Sequence, residues 1–307
     1  MIPHGRSAKR MLLPLTTLLI VCALAARGGV GSTWKAEHSA DFSLSVFPED
    51  AEPGAVLVVT IKGPNLIPEG FSAEGSLGDQ ELIFRDTGEG KGLISLAGID
   101  LEEKPGEIPL TVRIRTGEGA AEIIRRSVAV IGKEFPIQRL TIEEKPYTPE
   151  VLERIERERE RLRSLWKIMT PDRIWRGRFL EPLQALEVTS AFGLRRFINE
   201  TPRQAHMGID LRAATGDTVF ASNGGRVVLT GDFYFSGQSV ILDHGEGLYS
   251  MYFHLSRTLA EEGDEVLRGA PIGLAGSTGR ATAPHLHWGI ILRGAHVDPL
   301  KILGLPL

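Results

Sequence analysis

Between Phe42 and Ile131 apolar residues recur in short runs, many with a period of two, separated by turn-forming residues. Phe42-Ser43-Leu44-Ser45-Val46, Ala55 to Ile61, Glu81 to Phe84, Leu110-Thr111-Val112-Arg113-Ile114 and Ser127 to Ile131 read as strands. Pro53-Gly54, Gly63-Pro64, Gly88-Glu89-Gly90 and Pro105-Gly106 read as the turns between them. Strands at this spacing predict a β-sandwich, immunoglobulin-like but without its disulfide. After Thr148 the period changes. Val151, Ile155, Leu162, Leu165 and Met169 fall on one face of a helix that Thr148 can cap and Pro149 can start, and acid and base alternate from Glu156 to Arg161 on its outer face. A connecting strut is the plain reading of this helix, and docking against a neighbouring domain or a regulator the sharper one. Alternation then returns around Val188 to Phe192, Gly225 to Thr230, Ser239 to Asp243, Leu248 to His254 and His285 to Leu292, so the chain is expected to be mainly β.

The N-terminus has a different character. Arg6, Lys9 and Arg10 precede an apolar stretch from Met11 to Ala25, and Ala23-Leu24-Ala25 offers a small-x-small cleavage site. Fifteen residues interrupted by Pro14, Thr16 and Thr17 are short for a membrane span, so residues 1–26 are read as a cleaved signal peptide rather than a retained anchor, with no stable span afterwards. Val21 fits poorly where lipid attachment at Cys22 would need a small residue. Cleavage removes three basic residues and no acidic one, so the net charge of −4 becomes −7, and it removes the chain's one cysteine. An acidic mature chain without a basic stripe disfavours nucleic acid as a partner, and without thiols neither a disulfide nor a thiolate metal ligand is available. The remaining segments are expected to be a sandwich over 33–135, a helical linker over 136–180 and a second β domain over 181–307.

Candidate chemistry concentrates in that last segment. His206-Met207-Gly208-Ile209-Asp210 and His285-Leu286-His287-Trp288-Gly289 bring metal-binding side chains together in sequence, and Tyr252-Phe253-His254-Leu255 ends an alternating run. Gly208 followed by Ile209 and Leu211 flanking Asp210 reads as a loop entering a strand. On a strand His285 and His287 share a face, with Cα atoms about 6 to 7 Å apart. Both imidazoles can enter one groove, and spacing alone does not say which binds metal. A catalytic zinc site typically uses three protein ligands and leaves a position for water. Trp288 alternates to the other face and is assigned to packing.

The order His206-x-x-x-Asp210, Tyr252-x-His254-Leu255, His285-x-His287 resembles the LytM/lysostaphin-type zinc endopeptidases that cut peptide cross-links in bacterial cell walls. Ser190-Ala191-Phe192-Gly193-Leu194-Arg195, Val240 to Gly245 and Val297-Asp298-Pro299-Leu300 match its entry strand, central strand and closing segment, so the resemblance covers roughly residues 185 to 303. It implies a C-terminal antiparallel-β catalytic domain, with His206, Asp210 and His287 as ligands of Zn2+ and His254 and His285 as catalytic histidines beside it. No ligand position is missing, unlike relatives that serve only as amidase activators. A rather long stretch between Arg195 and His206 departs from the pattern and is expected to form a loop near the groove.

The chemistry this implies is attack of activated water on a peptide carbonyl. No His-Glu-x-x-His helix supplies a carboxylate base, so an imidazole must take the proton, and the sequence does not say whether His254 or His285 does so. Other matches carry less. Ser164-x-x-Lys167 lies in a charged helix without its companion motifs, and Gly237-Gln238-Ser239 lacks the second glycine of a nucleophile elbow. His244 sits in a glycine-rich turn and reads as structural, and His4, His38 and His296 read as leader or surface residues. The expectation is a secreted zinc metalloendopeptidase of the cell envelope or periplasm, acting on peptidoglycan peptides and open to an envelope regulator. The alternative is a non-hydrolytic envelope protein that binds wall peptides or activates another hydrolase.

Overall fold

The structure is a computed structural model that describes residues 35–38, 42–63, 71–86, 92–115, 121–141 and 146–305. The expected signal peptide, with Cys22, and the turn at Gly88-Glu89-Gly90 lie outside the described residues.

The N-terminal half forms two five-stranded sheets. One runs Lys35–His38, Ser43–Phe47, Val56–Lys62, Gly92–Gly98, Arg85–Asp86; the other runs Asp50–Ala51, Glu122–Val130, Gly106–Arg115, Ser72–Leu77, Gln80–Ile83. Leu44, Val46, Leu57, Val59 and Ile61 of the first meet Leu110, Val112, Ile114, Val128 and Val130 of the second in a shared core. Five of these strands were not marked by the sequence pattern: the short Lys35–His38, Asp50–Ala51 and Arg85–Asp86, and two longer ones. Gly92–Gly98 is bounded by glycines and buried almost throughout, so it shows no alternation, and Ser72–Leu77 is built largely of small and polar residues.

The first sheet is covered on both faces. Val56, Val58, Leu96 and Leu101 turn away from the sandwich core and pack with Phe192, Leu292, Ala295, Val297 and Ile302 of the C-terminal half. This explains the unbroken apolar run Val56–Val59, since a strand buried on both sides has no polar face. Glu246, buried in a turn at φ +55°, accepts from Arg85 of the sandwich and from Arg173, which tethers the two halves at a second place.

The helix Pro149–Leu165 starts as expected, with Thr148 as its cap accepting from Val151 N. It docks rather than merely bridging: Leu162, Leu165 and the following Trp166 pack on Leu229, Phe233, Tyr249, Met251 and Ile291. Glu158 accepts from Tyr234 N, and Arg154 reaches Asp232.

The C-terminal sheet follows the order Val188–Ser190, Gly208–Arg212, His285–Leu292, Leu248–Thr258, Gly237–Asp243, Gly225–Phe233, Glu265–Val266. Trp288 is fully buried beneath it. Among the described residues no helix is long and apolar enough to cross a membrane.

Candidate active site

Strand register lines up the central residues. Ser190 pairs with Asp210, Asp210 with His287 and His287 with Phe253, so these four stand in one row across four adjacent strands. His285 lies on the same face two residues from His287. His206 comes from the irregular segment that leads into the strand Gly208–Arg212.

The row brings together His206 Nε2, Asp210 Oδ1 and His287 Nδ1. They lie 3.0 Å (His206 to Asp210), 3.0 Å (His206 to His287) and 2.9 Å (His287 to Asp210) apart. His206 Nδ1 donates to Ala191 O at 2.9 Å, because a carbonyl only accepts. In a neutral ring this leaves Nε2 as a bare lone pair 3.0 Å from a carboxylate oxygen, an arrangement that repels unless a cation lies between them. The donor set fits zinc, which takes imidazole nitrogen and carboxylate oxygen at about 2.0 to 2.2 Å, and Ala191 O is the outer partner that fixes the His206 ring. Burial pushes the Asp210 carboxyl upward, but the two imidazoles set against it, His206 and His287, outweigh burial and hold the group well below the usual carboxylate range. Burial also lowers the His287 imidazole.

His206 is clamped by the segment before it. Gly193 N donates to His206 O at 2.8 Å, and His206 N donates to Leu194 O at 3.1 Å. Aromatic rings pin that segment. Gly193, at φ +78°, lies so close under the Phe135 ring that a Cβ there would come within 2.1 Å of it. Phe192 in turn lies over Gly54 of the sandwich, where a Cβ would fall 2.4 Å from its ring. Arg195 pairs with Glu102 of a sandwich loop. The N-terminal sandwich therefore reaches to within one residue of a group that holds a candidate ligand.

His254 and His285 face the cradle from the other side. Their rings are 4.7 Å apart between centroids, and that of His254 is 6.2 Å from His287. His254 arrives there through a β-bulge: the pairing shifts between Gln238 and Val240, and His254 adopts φ +62°. Phe253 consequently stacks on His287, with centroids 5.4 Å apart and planes at 7°, while the next residue is re-aimed to the same side. Each Nδ1 donates to a carbonyl at 2.9 Å, Thr278 O for His254 and Ala283 O for His285. A neutral form of either ring would carry its lone pair on Nε2, and that atom of His285 is 3.7 Å from Asp210 Oδ1. Burial lowers the His254 pKa to about 4.

Residues 195–202 are not an open loop but a hairpin, Arg195–Ile198 with Thr201–Pro202, whose first strand pairs in parallel with Ile137–Leu140 of the linker. It brings in Arg196, which the sequence pattern did not single out. Arg196 Nη2 donates to Ser190 Oγ at 3.0 Å and lies 3.9 Å from Asp210 Oδ2. His244 is fully buried, donating from Nδ1 to Gly224 O at 2.7 Å with Nε2 facing Ser250 Oγ at 2.7 Å, and burial lowers its pKa to about 4. His296 is no free surface residue: its N–H donates to Asp100 of the sandwich at 2.8 Å.

A sheet that carries two histidines and an aspartate around one point, with two further imidazoles beside it, has the donor set of a metallopeptidase. The profile of peptidase family M23 matches residues 204–299. A solved Pseudomonas aeruginosa structure assigned to peptidase M23 aligns with 82% of this chain and 94% of its own length, at 30% identity and a TM-score of 0.57. The chain belongs to peptidase family M23, with a LytM-type domain. Peptidoglycan DD-endopeptidase ShyA of Vibrio cholerae is 41% identical over 115 residues, 37% of this chain and 27% of that protein. DD-carboxypeptidase/endopeptidase Mpg of Neisseria meningitidis is 37% identical over 123 residues, 40% of this chain and 28% of that protein. The match spans little more than a quarter of the length of these curated relatives.

Proposed function

We propose that the chain is a zinc-dependent endopeptidase that hydrolyses peptide bonds of bacterial peptidoglycan in the cell envelope. The observation that carries this reading is the mutual 2.9 to 3.0 Å spacing of His206 Nε2, Asp210 Oδ1 and His287 Nδ1, faced by two imidazoles whose Nε2 atoms are free to take a proton. The names of the relatives, a peptidoglycan endopeptidase and a carboxypeptidase/endopeptidase, supply the substrate class.

His206, Asp210 and His287 would hold the ion. Bound zinc makes water acidic enough to ionise near neutral pH and polarises a carbonyl oxygen. His254, fixed through Nδ1 on Thr278 O, presents Nε2 as the acceptor for the proton of the attacking water. His285, fixed on Ala283 O, is the second group positioned to exchange a proton at Nε2 or, once protonated, to donate a hydrogen bond to the developing oxyanion. Water adds to the carbonyl carbon, the carbon–nitrogen bond breaks, and the proton ends on the leaving amine. His206 and Asp210 take no proton in this scheme.

Purified peptidoglycan incubated with the mature chain should release new amino groups, and a chelator should stop the release. Unchanged release in chelator would remove the metal from the mechanism. No release under any metal loading would remove the hydrolase reading.

A further inference from the structure

Four arginines lie on the strands around the cradle. Arg139 pairs with Glu200, Arg195 with Glu102 and Arg212 with Glu187. Arg196 differs from these three. Its Nη2 is held by Ser190 Oγ at 3.0 Å and its Nε by Gln138 Oε1 at 3.1 Å, both neutral oxygens. The carboxylate beside it, Asp210 Oδ2, is 3.9 Å away, beyond hydrogen-bond distance. Nη1 has no hydrogen-bond partner among the described residues, and the side chain is 36% exposed.

This is a guanidinium oriented in advance by neutral oxygens, whose one carboxylate neighbour, Asp210, stands at the outer limit of an ion pair and makes no hydrogen bond to it. Its charge does not titrate away, and its planar fork matches the two oxygens of a carboxylate. Two neutral hydrogen bonds already restrict the side chain, so little further rotamer entropy is lost when an anion arrives. The purpose of the charge is not met by Asp210, because a carboxylate that ligates a dication is already compensated by it. With a dication bound, the single carboxylate of the cradle would leave it and Arg196 together a positive region whose complement is an anion. Consecutive residues of a peptide are 3.8 Å apart, so a carboxylate on a residue next to the scissile bond is within reach of a guanidinium 3.9 Å from a ligand oxygen.

We propose that Arg196 is a specificity residue that binds a carboxylate of the substrate peptide next to the bond being cut. The proposal rests on the hydrolase reading above and narrows it: substrates with a free carboxylate beside the scissile bond are preferred over otherwise identical peptides in which it is blocked. The carboxylate can be a C-terminal one or an acidic side chain, and the test separates the two.

The zinc-loaded full chain is compared with Arg196→Gln and Arg196→Lys on three synthetic wall peptides: one with both carboxylates free, one with the C-terminal carboxylate amidated and one with the acidic side chain amidated. Wild-type protein should favour the free peptide over one of the amides by roughly tenfold or more in kcat/KM, mostly through KM, and the amide that loses identifies the group bound. Arg196→Gln should bring that ratio close to one and Arg196→Lys leave it in between, while zinc per chain and Tm stay at wild-type values. Calorimetric binding of the same peptides to both proteins needs no turnover and should show the same ratio in Kd. Wild type cutting any of the three supports the hydrolase reading by itself. A ratio that survives Arg196→Gln in turnover and binding overturns the specificity role, and so does an equal fall on all three peptides or a loss of zinc, which would make Arg196 a support for Asp210 only.

Discussion

Replacing Gly208 by alanine tests the packing around one candidate ligand. Gly208 is in extended backbone directly opposite Gly289, and a Cβ built on it would lie 2.7 Å from His287 Nε2, 2.8 Å from His287 Cε1 and 2.5 Å from Trp288 O. Ordinary carbon contacts begin near 3.5 Å, so the His287 ring or the strand beneath it must retreat by roughly 0.7 Å. The strand cannot easily yield. It is central to the sheet, with Trp288 fully buried on its other face. Overpacking of this kind costs about 1 to 3 kcal/mol, and moving a ligand atom well beyond about 0.2 Å from its proper distance should weaken zinc binding by about 10 to 100 fold. Zinc affinity measured by competition with a chromophoric chelator, alongside thermal unfolding with and without zinc, reads both effects. Gly106→Ala is the control, because a Cβ there meets nothing within 4 Å. Gly208→Ala binding zinc within about twofold of wild type would refute the claim that His287 is held against this glycine as a ligand.

Other outcomes follow from the same geometry. His206→Ala should lose both bound zinc and activity, whereas His254→Ala should keep the metal and lose turnover; equal metal loss in the two, by elemental analysis, would contradict the division of roles. His244 is neutral in the fold and its pKa falls from 6.5 to about 4, so the folded state binds fewer protons than the unfolded chain between those values. Its stabilising contribution is complete above about pH 6.5 and declines as pH falls towards 4, by about 3 kcal/mol in all. Urea unfolding across that range should show the decline, and His244→Gln should flatten it; an identical slope in the variant would remove His244 as its source. Gly54→Ala sits in the sandwich but drives a Cβ to 2.4 Å from the Phe192 ring at a φ of +88°. It should lower Tm and also weaken zinc binding, through the Ala191 carbonyl that holds His206. A lower Tm with unchanged zinc affinity would limit the sandwich to a purely stabilising part.

Much of this arrangement is legible in the sequence because it depends on local period. His285 and His287 share a face because a strand alternates, and the strand His285–Leu292 has the expected bounds. Thr148 and Pro149 start their helix where capping chemistry places it. What the sequence does not carry is register and backbone exception. His254 reaches the cradle only because a bulge with positive φ reverses its side, and no residue preference announces that. Gly208 looks like a turn signal, yet it lies within a strand and is required by the ring of a residue 79 positions away. The hairpin of 195–202 has strands of four and two residues and depends on pairing with Ile137–Leu140, too short and too non-local a unit to be read from alternation. The support of His206 by Phe135, Phe192 and Gly54 is likewise a long-range contact. The helix shows its apolar stripe in sequence, but not the surface of Leu229, Phe233 and Met251 that receives it.

The central claim is that three side chains share one zinc ion. Titrating metal-stripped protein with zinc, with bound metal measured per chain, tests it most directly when wild type is set beside His287→Ala of unchanged fold. One tightly bound equivalent in wild type and none in the variant is the predicted result; a full equivalent of unchanged affinity in His287→Ala would contradict it.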